Sequence, residues 1–278
     1  MKKKLLIAFT SALITALVIL ALFEIQAQRN SLTADEVIQV ESQILGEERE
    51  ILLHLPASYQ EEALQHYPLL VAFDGSSLDH KIKQVADILA AAGVMPEIII
   101  AGIPNTDRNR DLSPDYLRQN LATKELGGGT NFLRFLSEEA LPKLETNFRI
   151  NDHRLLAGHS RGALMTFQAL LEQPELFDSY LCFSPAFWRE EHAIVAHAAS
   201  FLNQQDSLQH FVYLSLGTEE NEKMRLGYED MITQLESHAL PGLHWLRQDI
   251  VGANHQTTPW LSMPSALRQW ALFYGHDW

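Results

Sequence analysis

Short runs of β-branched and aliphatic residues alternate with segments of helical periodicity along most of this 278-residue chain. The runs PLLVAF, EIIIAGI, HRLLAG and HFVYLSLG have the continuous apolar character of strands that are buried on both faces. Segments such as HKIKQVADILAAAG and RGALMTFQALLEQP have the spacing of amphipathic helices. Strands that alternate with helices form βαβ units, so the sequence predicts an α/β fold with a mostly parallel central sheet flanked by helices.

An additional strand pair is predicted before this alternation begins. Residues 36–55 alternate in polarity and are interrupted at Gly46, which is typical of an antiparallel hairpin. From residue 30 onward the chain has no repeat, low-complexity tract or linker-like segment. Its apolar content of 46% is enough for one full core, so residues 28–278 are predicted to form a single domain.

The first 27 residues have a different character from the rest. The basic start MKKK is followed by 19 uncharged residues, from Leu5 to Phe23. This pattern predicts a secretory signal peptide over residues 1–27 or, if the segment is not cleaved, a membrane anchor formed by residues 5–23. Because the lysines favour the cytoplasmic side, the remaining chain is predicted to be exported. It would be periplasmic or secreted, or held at the inner membrane by its anchor.

Charge and cysteine content narrow the range of partners. The formal net charge is −14, and no basic stripe is present to neutralise phosphates, so no nucleic-acid partner is expected. Cys182 is the only cysteine and therefore cannot form an internal disulfide. It lies in the apolar stretch SYLCFSPAFW, which predicts a buried thiol.

The pentapeptide Gly158-His159-Ser160-Arg161-Gly162 lies between a predicted strand and a predicted helix. Gly-x-Ser-x-Gly in that position is typical of a nucleophile elbow, in which a strained turn exposes the serine hydroxyl. We expect glycine at 158 and 162 because a side chain at either position would strike the neighbouring strand or helix. The helix N-terminus behind Ser160 would leave the backbone N–H of Arg161 free to stabilise an oxyanion.

A serine nucleophile needs a base, usually a histidine that is oriented by a carboxylate. The expected chain order is serine, acid, histidine. His255 is the favoured base because it follows the last predicted strand and a turn; His238, His244 and His276 are placed less well.

The acid is expected just after the strand HFVYLSLG, in the segment Thr218-Glu219-Glu220-Asn221-Glu222. Glu220, the third residue after the glycine, is favoured. Glu219 stays open as an alternative, and Asp249 is a weaker one. A second oxyanion donor is expected in the loop after PLLVAFDG, where Gly75 and Ser76 offer backbone amides.

Several longer segments carry a resemblance to a known family. They are VESQILGEEREILLHLPASY, YPLLVAFDGSSL, GIPNTDRNRDLSP, GGGTNFLRFLSEEALPKLETNFRI, GHSRGA, FDSYLCFSPAFW, LSLGTEENEKM and GANHQTTP, in this order. From about residue 36 to its end, the chain resembles the esterase family of the α/β-hydrolase superfamily that includes esterase D and the enterochelin-esterase-like hydrolases. The resemblance implies an α/β-hydrolase fold, with residues 28–278 as the catalytic domain, and a serine carboxylesterase with Ser160, Glu220 and His255 as its triad.

This chain departs from the family pattern at two positions of the elbow. Ala163 stands where the family often has a second glycine, and Arg161 stands where it often has a bulkier hydrophobic residue. The added methyl group is a small change and should not abolish activity. Arg161 would either place a cation near the pocket or point to solvent.

Substrate contacts are predicted in two loops at the same edge of the sheet. In NTDRNRDLSP, Arg108 and Arg110 could bind an anionic or catechol-like group. The alternative is a loop held by salt bridges to Asp107 and Asp111. In SPAFW, Trp188 either lines an acyl or aryl pocket or packs in the core.

Together these features predict a serine carboxylic-ester hydrolase that acts through an acyl-enzyme on a small-molecule, siderophore or carbohydrate ester. An acyltransferase that uses the same triad, or a non-catalytic binding module on a hydrolase scaffold, are the alternatives. No metal and no cofactor are expected to take part, and the sequence does not indicate an oligomeric state.

Overall fold

The computed structural model describes residues 34–116 and 127–275. The predicted signal or anchor segment over residues 1–27 lies outside the described residues, so that interpretation stays a prediction. The described residues from Asp35 onward form one compact unit. None of the helices in the described ranges combines the length and the apolar character needed to cross a membrane.

In the described ranges, eight strands form a single sheet. They are β1 Glu36–Ser42, β2 Glu47–His54, β3 Tyr67–Phe73, β4 Ile99–Ile103, β5 Ile150–His159, β6 Ser179–Phe183, β7 His210–Gly217 and β8 Leu243–Ile250. Their order across the sheet is β1-β2-β4-β3-β5-β6-β7-β8. The predicted hairpin is confirmed, since β1 pairs antiparallel with β2 and Gly46 in the turn has a φ of 68°.

All pairs from β4 through β3 to β8 are parallel, whereas β2 runs antiparallel to β4. The predicted fold class, an α/β protein with a mostly parallel sheet flanked by helices, is therefore confirmed. Because parallel strands share one carboxyl edge, the residues that follow β3, β5, β7 and β8 meet at the same edge of the sheet.

The helices cover both faces of the sheet. They are α1 Leu78–Ala91, α2 Arg108–Asp111, α3 Gly129–Phe135, α4 Leu141–Asn147, α5 Arg161–Glu172, α6 Arg189–Leu202, α7 Glu222–Ser237 and α8 Thr258–Tyr274. Single 3₁₀ turns occur at Ala57–Gln60 and Pro174–Leu176. Side chains of α1 and α8 pack in the core on one face, and those of α3 to α7 pack in the core on the other.

The alternation of β3 shows how one strand serves both layers. Leu69, Val71 and Phe73 lie in the core that includes α3 to α7, and Leu70 and Ala72 lie in the core that includes α1 and α8. All seven residues of β3 are buried, as the continuous apolar run predicts.

Two helices differ in detail from the sequence expectation. The segment with Pro142 is not a single kinked helix; a π-helical turn, Leu136–Ala140, joins α3 to α4 just before the proline. Proline lacks the N–H that an uninterrupted helix requires, which accounts for the irregular turn. The last helix begins at Thr258, five residues before the apolar segment MPSALRQWALFYG, with Pro259 in its first turn.

Candidate active site

Ser160 lies at the junction between β5 and α5, where the backbone adopts a φ of 60° and a ψ of −113°. A positive φ is unfavourable for a residue with a side chain and is common at functional sites. Ser160 is the N-cap residue of α5, yet its hydroxyl makes no capping hydrogen bond to the helix. The hydroxyl is therefore available to another group, as the elbow motif predicts.

The two glycines of the pentapeptide have different spatial constraints. A Cβ on Gly158 would lie 2.4 Å from the carbonyl carbon and oxygen of Gly162, which is backbone that cannot easily move. A Cβ on Gly162 would lie 3.2 Å from Oδ2 of Asp74, the end of a side chain. The tight approach of strand and helix thus depends mainly on Gly158.

A continuous hydrogen-bonded chain begins at the Ser160 hydroxyl. The Ser160 Oγ lies 2.9 Å from Nε2 of His255, and Nδ1 of His255 lies 2.9 Å from Oε2 of Glu220. An ionised carboxylate can only accept hydrogen bonds, so Nδ1 of His255 donates to Glu220. Nε2 is then the acceptor for the serine hydroxyl. The structure brings together the three residues that the sequence singled out.

Glu220 is the carboxylate that reaches the histidine. Its side chain is fully shielded from solvent, and it also accepts hydrogen bonds from the Ser184 hydroxyl at 2.5 Å and the Gly217 amide at 3.0 Å. Burial opposes ionisation of this carboxyl, but the hydrogen bonds from His255, Ser184 and Gly217 outweigh it and hold the pKa of Glu220 below its ordinary value. Glu219, the alternative, is exposed.

The backbone N–H groups that were predicted to stabilise an oxyanion differ in whether they are available to a substrate. Arg161 is the first residue of α5, where a backbone N–H has no partner within the helix. Ser76 lines the same cleft as Ser160 and has a φ of 70°. The prediction for Gly75 needs correction, because its N–H donates to the carbonyl of Ile103 at 2.9 Å and is already engaged.

The Ser160 hydroxyl opens into a cleft of about 490 Å³. The described residues that line it come from the loops after β3, β4, β5 and β8; they are Asp74, Gly75, Ser76, Ser77, Leu78, Pro104, Asn105, Arg108, His159, Ser160, His255, Gln256 and Trp260. Most of these side chains are polar, so the cleft suits a substrate that itself carries polar groups.

Arg108 lies in the cleft, but Arg110 does not belong to its described lining. Arg108 forms a two-point salt bridge with Asp74, at 2.5 and 2.8 Å. The guanidinium of Arg110 is bound to Glu47 at 2.6 Å and to Asp111 at 2.7 Å. The substrate-binding prediction for Arg110 is therefore corrected, since carboxylates already occupy its donors; the alternative of a salt-bridged loop describes it better.

The aromatic residue of the cleft is Trp260 rather than Trp188. Trp188 packs, partly buried, against the core, and the side chains of Arg189 and Lys223 lie over its ring. Trp260 stands in the first turn of α8, five residues after His255. The sequence analysis did not identify it because that helix was expected to begin later.

His159 is a second residue that the sequence analysis did not assign to the site. Its Nε2–H donates to the backbone carbonyl of His255 at 2.8 Å, and the two rings lie 4.7 Å apart. Burial, followed by the neighbouring His255, lowers the pKa of His159 to about 4. A neutral His159 therefore fixes the backbone of the loop that carries His255.

Ser184 and Thr258 complete the surroundings of Glu220. Thr258 donates from its hydroxyl to Oε1 of Glu220 at 3.1 Å, and Ser184 donates to the same oxygen. Ser184 itself has a φ of 46°, and its amide is bound to the carbonyl of Ser215. Ser184 directly follows β6, and Thr258 is the first residue of α8. Both positions lie at the carboxyl edge of the sheet, which is the signal that could have identified them.

A serine hydroxyl bound to an imidazole, which is in turn bound to a buried carboxylate, is a geometry that can activate serine as a nucleophile. The helix N-terminus behind Ser160 adds positive potential where negative charge would develop. The arrangement is thus able to attack an acyl carbonyl.

Comparisons with known proteins agree with this geometry. A model of the family described as "Putative esterase" matches residues 42–242. The uncharacterized protein YbbA of Bacillus subtilis is 25% identical over 181 residues, which cover 63% of this chain and 70% of that protein. The ferri-bacillibactin esterase BesA of the same species is 28% identical over 138 residues, which cover 43% of this chain and 48% of BesA.

A solved structure shows the same fold. The IroE-like serine hydrolase from Shewanella oneidensis superposes with a TM-score of 0.79 and is 24% identical, over 87% of this chain and 81% of that one. The family match covers well over half of the sequence and includes the elbow, the strand β7 and Glu220. The chain therefore belongs to the esterase family of the α/β hydrolases.

Proposed function

We propose that this protein is a serine carboxylesterase in which Ser160 attacks the ester carbonyl and forms an acyl-enzyme. The observation that carries the proposal is the hydrogen-bonded chain from Ser160 through His255 to Glu220, with both contacts at 2.9 Å. Membership of the esterase family supports hydrolysis of an ester as the reaction.

In the proposed reaction, Nε2 of His255 takes the proton of the Ser160 hydroxyl while Oγ forms a bond to the carbonyl carbon. The imidazolium then gives this proton to the leaving alkoxide, and the acyl group stays on Ser160. Water repeats the cycle and releases the carboxylic acid. Glu220 holds the ring in the required tautomer and stabilises its charged form.

The oxyanion of the tetrahedral intermediate would be stabilised by the backbone N–H groups of Arg161 and Ser76. Arg161 would contribute a helix N-terminal amide, and Ser76, which lines the same cleft as Ser160, would contribute a second one. Two such donors are the usual number in this fold.

We infer that the substrate is a small-molecule ester with anionic or polar groups, such as a siderophore or a carbohydrate ester. Arg161 lies beside the nucleophile, and among the described residues its guanidinium hydrogen-bonds two neutral groups, Asn109 at 2.7 Å and Ser113 at 3.3 Å. Burial, followed by Arg189 and Arg108, lowers the pKa of Arg161 to about 10. The carboxylates of Asp107 and Asp74 offset part of this repulsion, and an anionic substrate group would offset more of it. BesA, a relative, is described as acting on ferri-bacillibactin.

The test is hydrolysis of p-nitrophenyl esters of short and long acyl chains by the purified protein and by three variants. We expect Ser160→Ala to lower kcat by about 10⁶-fold and Glu220→Gln to lower it by about 10⁴-fold. Glu219→Gln is the matched control, because Glu219 is exposed and next in sequence to Glu220; its rate should stay within about twofold of the parent.

Trapping of the acyl-enzyme makes the test specific for the mechanism. Mass spectrometry after rapid quenching should find the acyl group on Ser160 and not on the Ser160→Ala chain. Equal activity of the parent and Ser160→Ala, or a larger loss with Glu219→Gln than with Glu220→Gln, would contradict the proposal. Transfer of the acyl group to an added alcohol in preference to water would instead indicate an acyltransferase.

A further inference from the structure

Three potential metal ligands meet beside the active cleft but outside the proposed catalytic residues. His54 is the last residue of β2, and Asp79 and His80 stand in the first turn of α1. One donor atom from each residue can be chosen so that no two lie more than 4.8 Å apart. The side chains of His54, Asp79 and His80 are 2%, 0% and 14% exposed, so the cluster is enclosed apart from one side of His80.

Two atoms of this cluster lack hydrogen-bond partners. The Oδ2 of Asp79 is bound to Nε2 of His54 at 3.0 Å, but Oδ1 of Asp79 is buried with no partner among the described residues. The same holds for Nδ1 of His80. Buried polar atoms are nearly always satisfied, so the unpartnered Oδ1 of Asp79, which faces Nε2 of His80, indicates a bound group at this cluster.

The surrounding backbone makes room for the carboxylate. A Cβ on Gly102 of β4 would lie only 2.5 Å from Oδ2 of Asp79, so this strand accommodates the side chain only because residue 102 is glycine. The carboxylate of Asp79 therefore lies in a confined space between β4 and the start of α1.

We propose that His54, Asp79 and His80 bind one divalent transition-metal ion of the zinc type. Two imidazole nitrogens and one carboxylate form a common ligand set for such ions. Zinc bonds of about 2.0–2.2 Å place two ligands of a tetrahedral ion about 3.4 Å apart. Nε2 of His54 lies 3.0 Å from Oδ2 of Asp79, and Nε2 of His80 lies 4.0 Å from Oδ1 of the same carboxylate. Each imidazole thus faces its own oxygen of Asp79, and the two distances lie on either side of that value. Water can take the fourth position, on the exposed side of His80.

The position of the ion suggests a structural role. Leu78, the residue before Asp79, lines the active cleft, and α1 begins where the loop of Ser76 ends. An ion at this cluster would cross-link the end of β2 and the start of α1. It would thereby restrict the motion of the loop that carries the Ser76 amide. The ion itself takes no part in the proposed acyl transfer, so the two proposals can fail independently.

The test is calorimetric titration of the chelator-treated full chain with Zn²⁺ alone. We expect one site per chain, and a thermal midpoint that rises in about 0.1 mM Zn²⁺, since a ligand that binds only the folded state stabilises it. His80→Gln keeps the contact between His54 and Asp79 and should weaken binding at this site at least about a hundredfold. The matched control is His192→Gln, because His192 also contacts an aspartate, Asp230, but at the surface. It should bind Zn²⁺ as the parent does.

A spectroscopic measurement on the unaltered chain guards against a variant that fails to fold. With Co²⁺ in place of Zn²⁺, the parent should give the intense visible absorption of a four-coordinate site, and His192→Gln should keep it. The proposal is overturned if the parent takes up no Zn²⁺ and shows no such absorption. Equal binding by the parent and a folded His80→Gln chain would overturn it as well.

Discussion

At the scale of single residues, the site depends on side chains that position other groups. Glu220 is hydrogen-bonded to the ring of His255, and His159 is hydrogen-bonded to the backbone carbonyl of the same residue. His159 donates from Nε2, so it serves this purpose in its neutral form and needs no charge. Its low pKa is therefore the consequence of a buried structural contact next to a second histidine.

The depressed pKa of His159 predicts a loss of stability in acid. Below its ordinary pKa of 6.5 the unfolded chain binds a proton at His159, whereas the folded protein does so only near pH 4. The stabilising contribution is fully present above about pH 6.5 and is lost as the pH falls; the loss amounts to about 3 kcal/mol at pH 4. The free energy of unfolding is measured by urea titration at pH 7 and at pH 4. On going from pH 7 to pH 4, it should fall by about 3 kcal/mol less for His159→Gln than for the parent.

Exposed His66 provides the control for this measurement. His66→Gln should follow the parent at both pH values. If His159→Gln lost as much free energy of unfolding on acidification as the parent, a buried neutral His159 would not be a cause of acid sensitivity.

At the scale of elements, the strand β5, the elbow and the helix α5 form one unit that sets the position of the nucleophile. The strand ends at His159 and the helix begins at Arg161, so a single residue makes the turn. Such a sharp reversal brings Gly158 and Gly162 into backbone contact. The strain at Ser160 is sustained because β5 lies between β3 and β6 in the sheet and α5 is packed in the core.

Gly158 and Gly162 are equally close to Ser160 in sequence but differ in how tightly they are packed. Substitution of each by alanine should therefore show whether packing determines the effect. Gly158→Ala places a methyl group 2.4 Å from backbone atoms, so it should destabilise the fold by about 3 kcal/mol. By displacing Ser160 it should also lower ester hydrolysis by about a hundredfold. Gly162→Ala, with a nearest contact of 3.2 Å to a side chain, should cost less than about 1 kcal/mol. Urea unfolding and the rate on a p-nitrophenyl ester measure both effects; equal costs for the two variants would refute this account of the elbow.

At the scale of the whole molecule, a buried ion pair joins the N-terminal hairpin to the active edge. Arg49 of β2 and Asp111 at the end of α2 are 62 residues apart in sequence, and both side chains are 1% exposed. Their contact measures 2.7 Å, and the guanidinium also lies over the rings of Phe132 and Phe135. The short helix that begins with Arg108, a residue of the cleft, is held in place through this contact.

Asp111→Asn should therefore destabilise the protein by about 3 kcal/mol, because among the described residues it leaves the buried Arg49 with Glu47 as its one anionic partner. The control is Glu138→Gln, which removes the exposed ion pair with Arg134 four residues earlier. It should change the free energy of unfolding by less than about 0.5 kcal/mol. Denaturant midpoints of the two variants and the parent decide the matter, and similar values for both variants would contradict a role for the buried pair.

Much of the architecture was predictable because its causes are local. The apolar run of β3, the break at Gly46 and the elbow around Ser160 depend on residues close together in sequence, and the structure confirms the fold that they predict. The catalytic roles of Ser160, Glu220 and His255 stay predictions, although the three side chains do lie in contact. The exported location also stays a prediction.

What the sequence determined by itself was the order of strands and helices, and hence the edge at which the loops of Ser160 and His255 meet, because periodicity and turn residues act over a few positions. Only the tertiary structure shows which of the neighbouring carboxylates lies against His255: Glu220 is buried in contact with it, and Glu219 is exposed. Likewise, only the tertiary structure shows that the amide of Gly75 is hydrogen-bonded to Ile103 and that His54 is hydrogen-bonded to Asp79. These contacts join distant parts of the chain, and their geometry is set by the packing of the sheet and its helices rather than by spacing along the sequence.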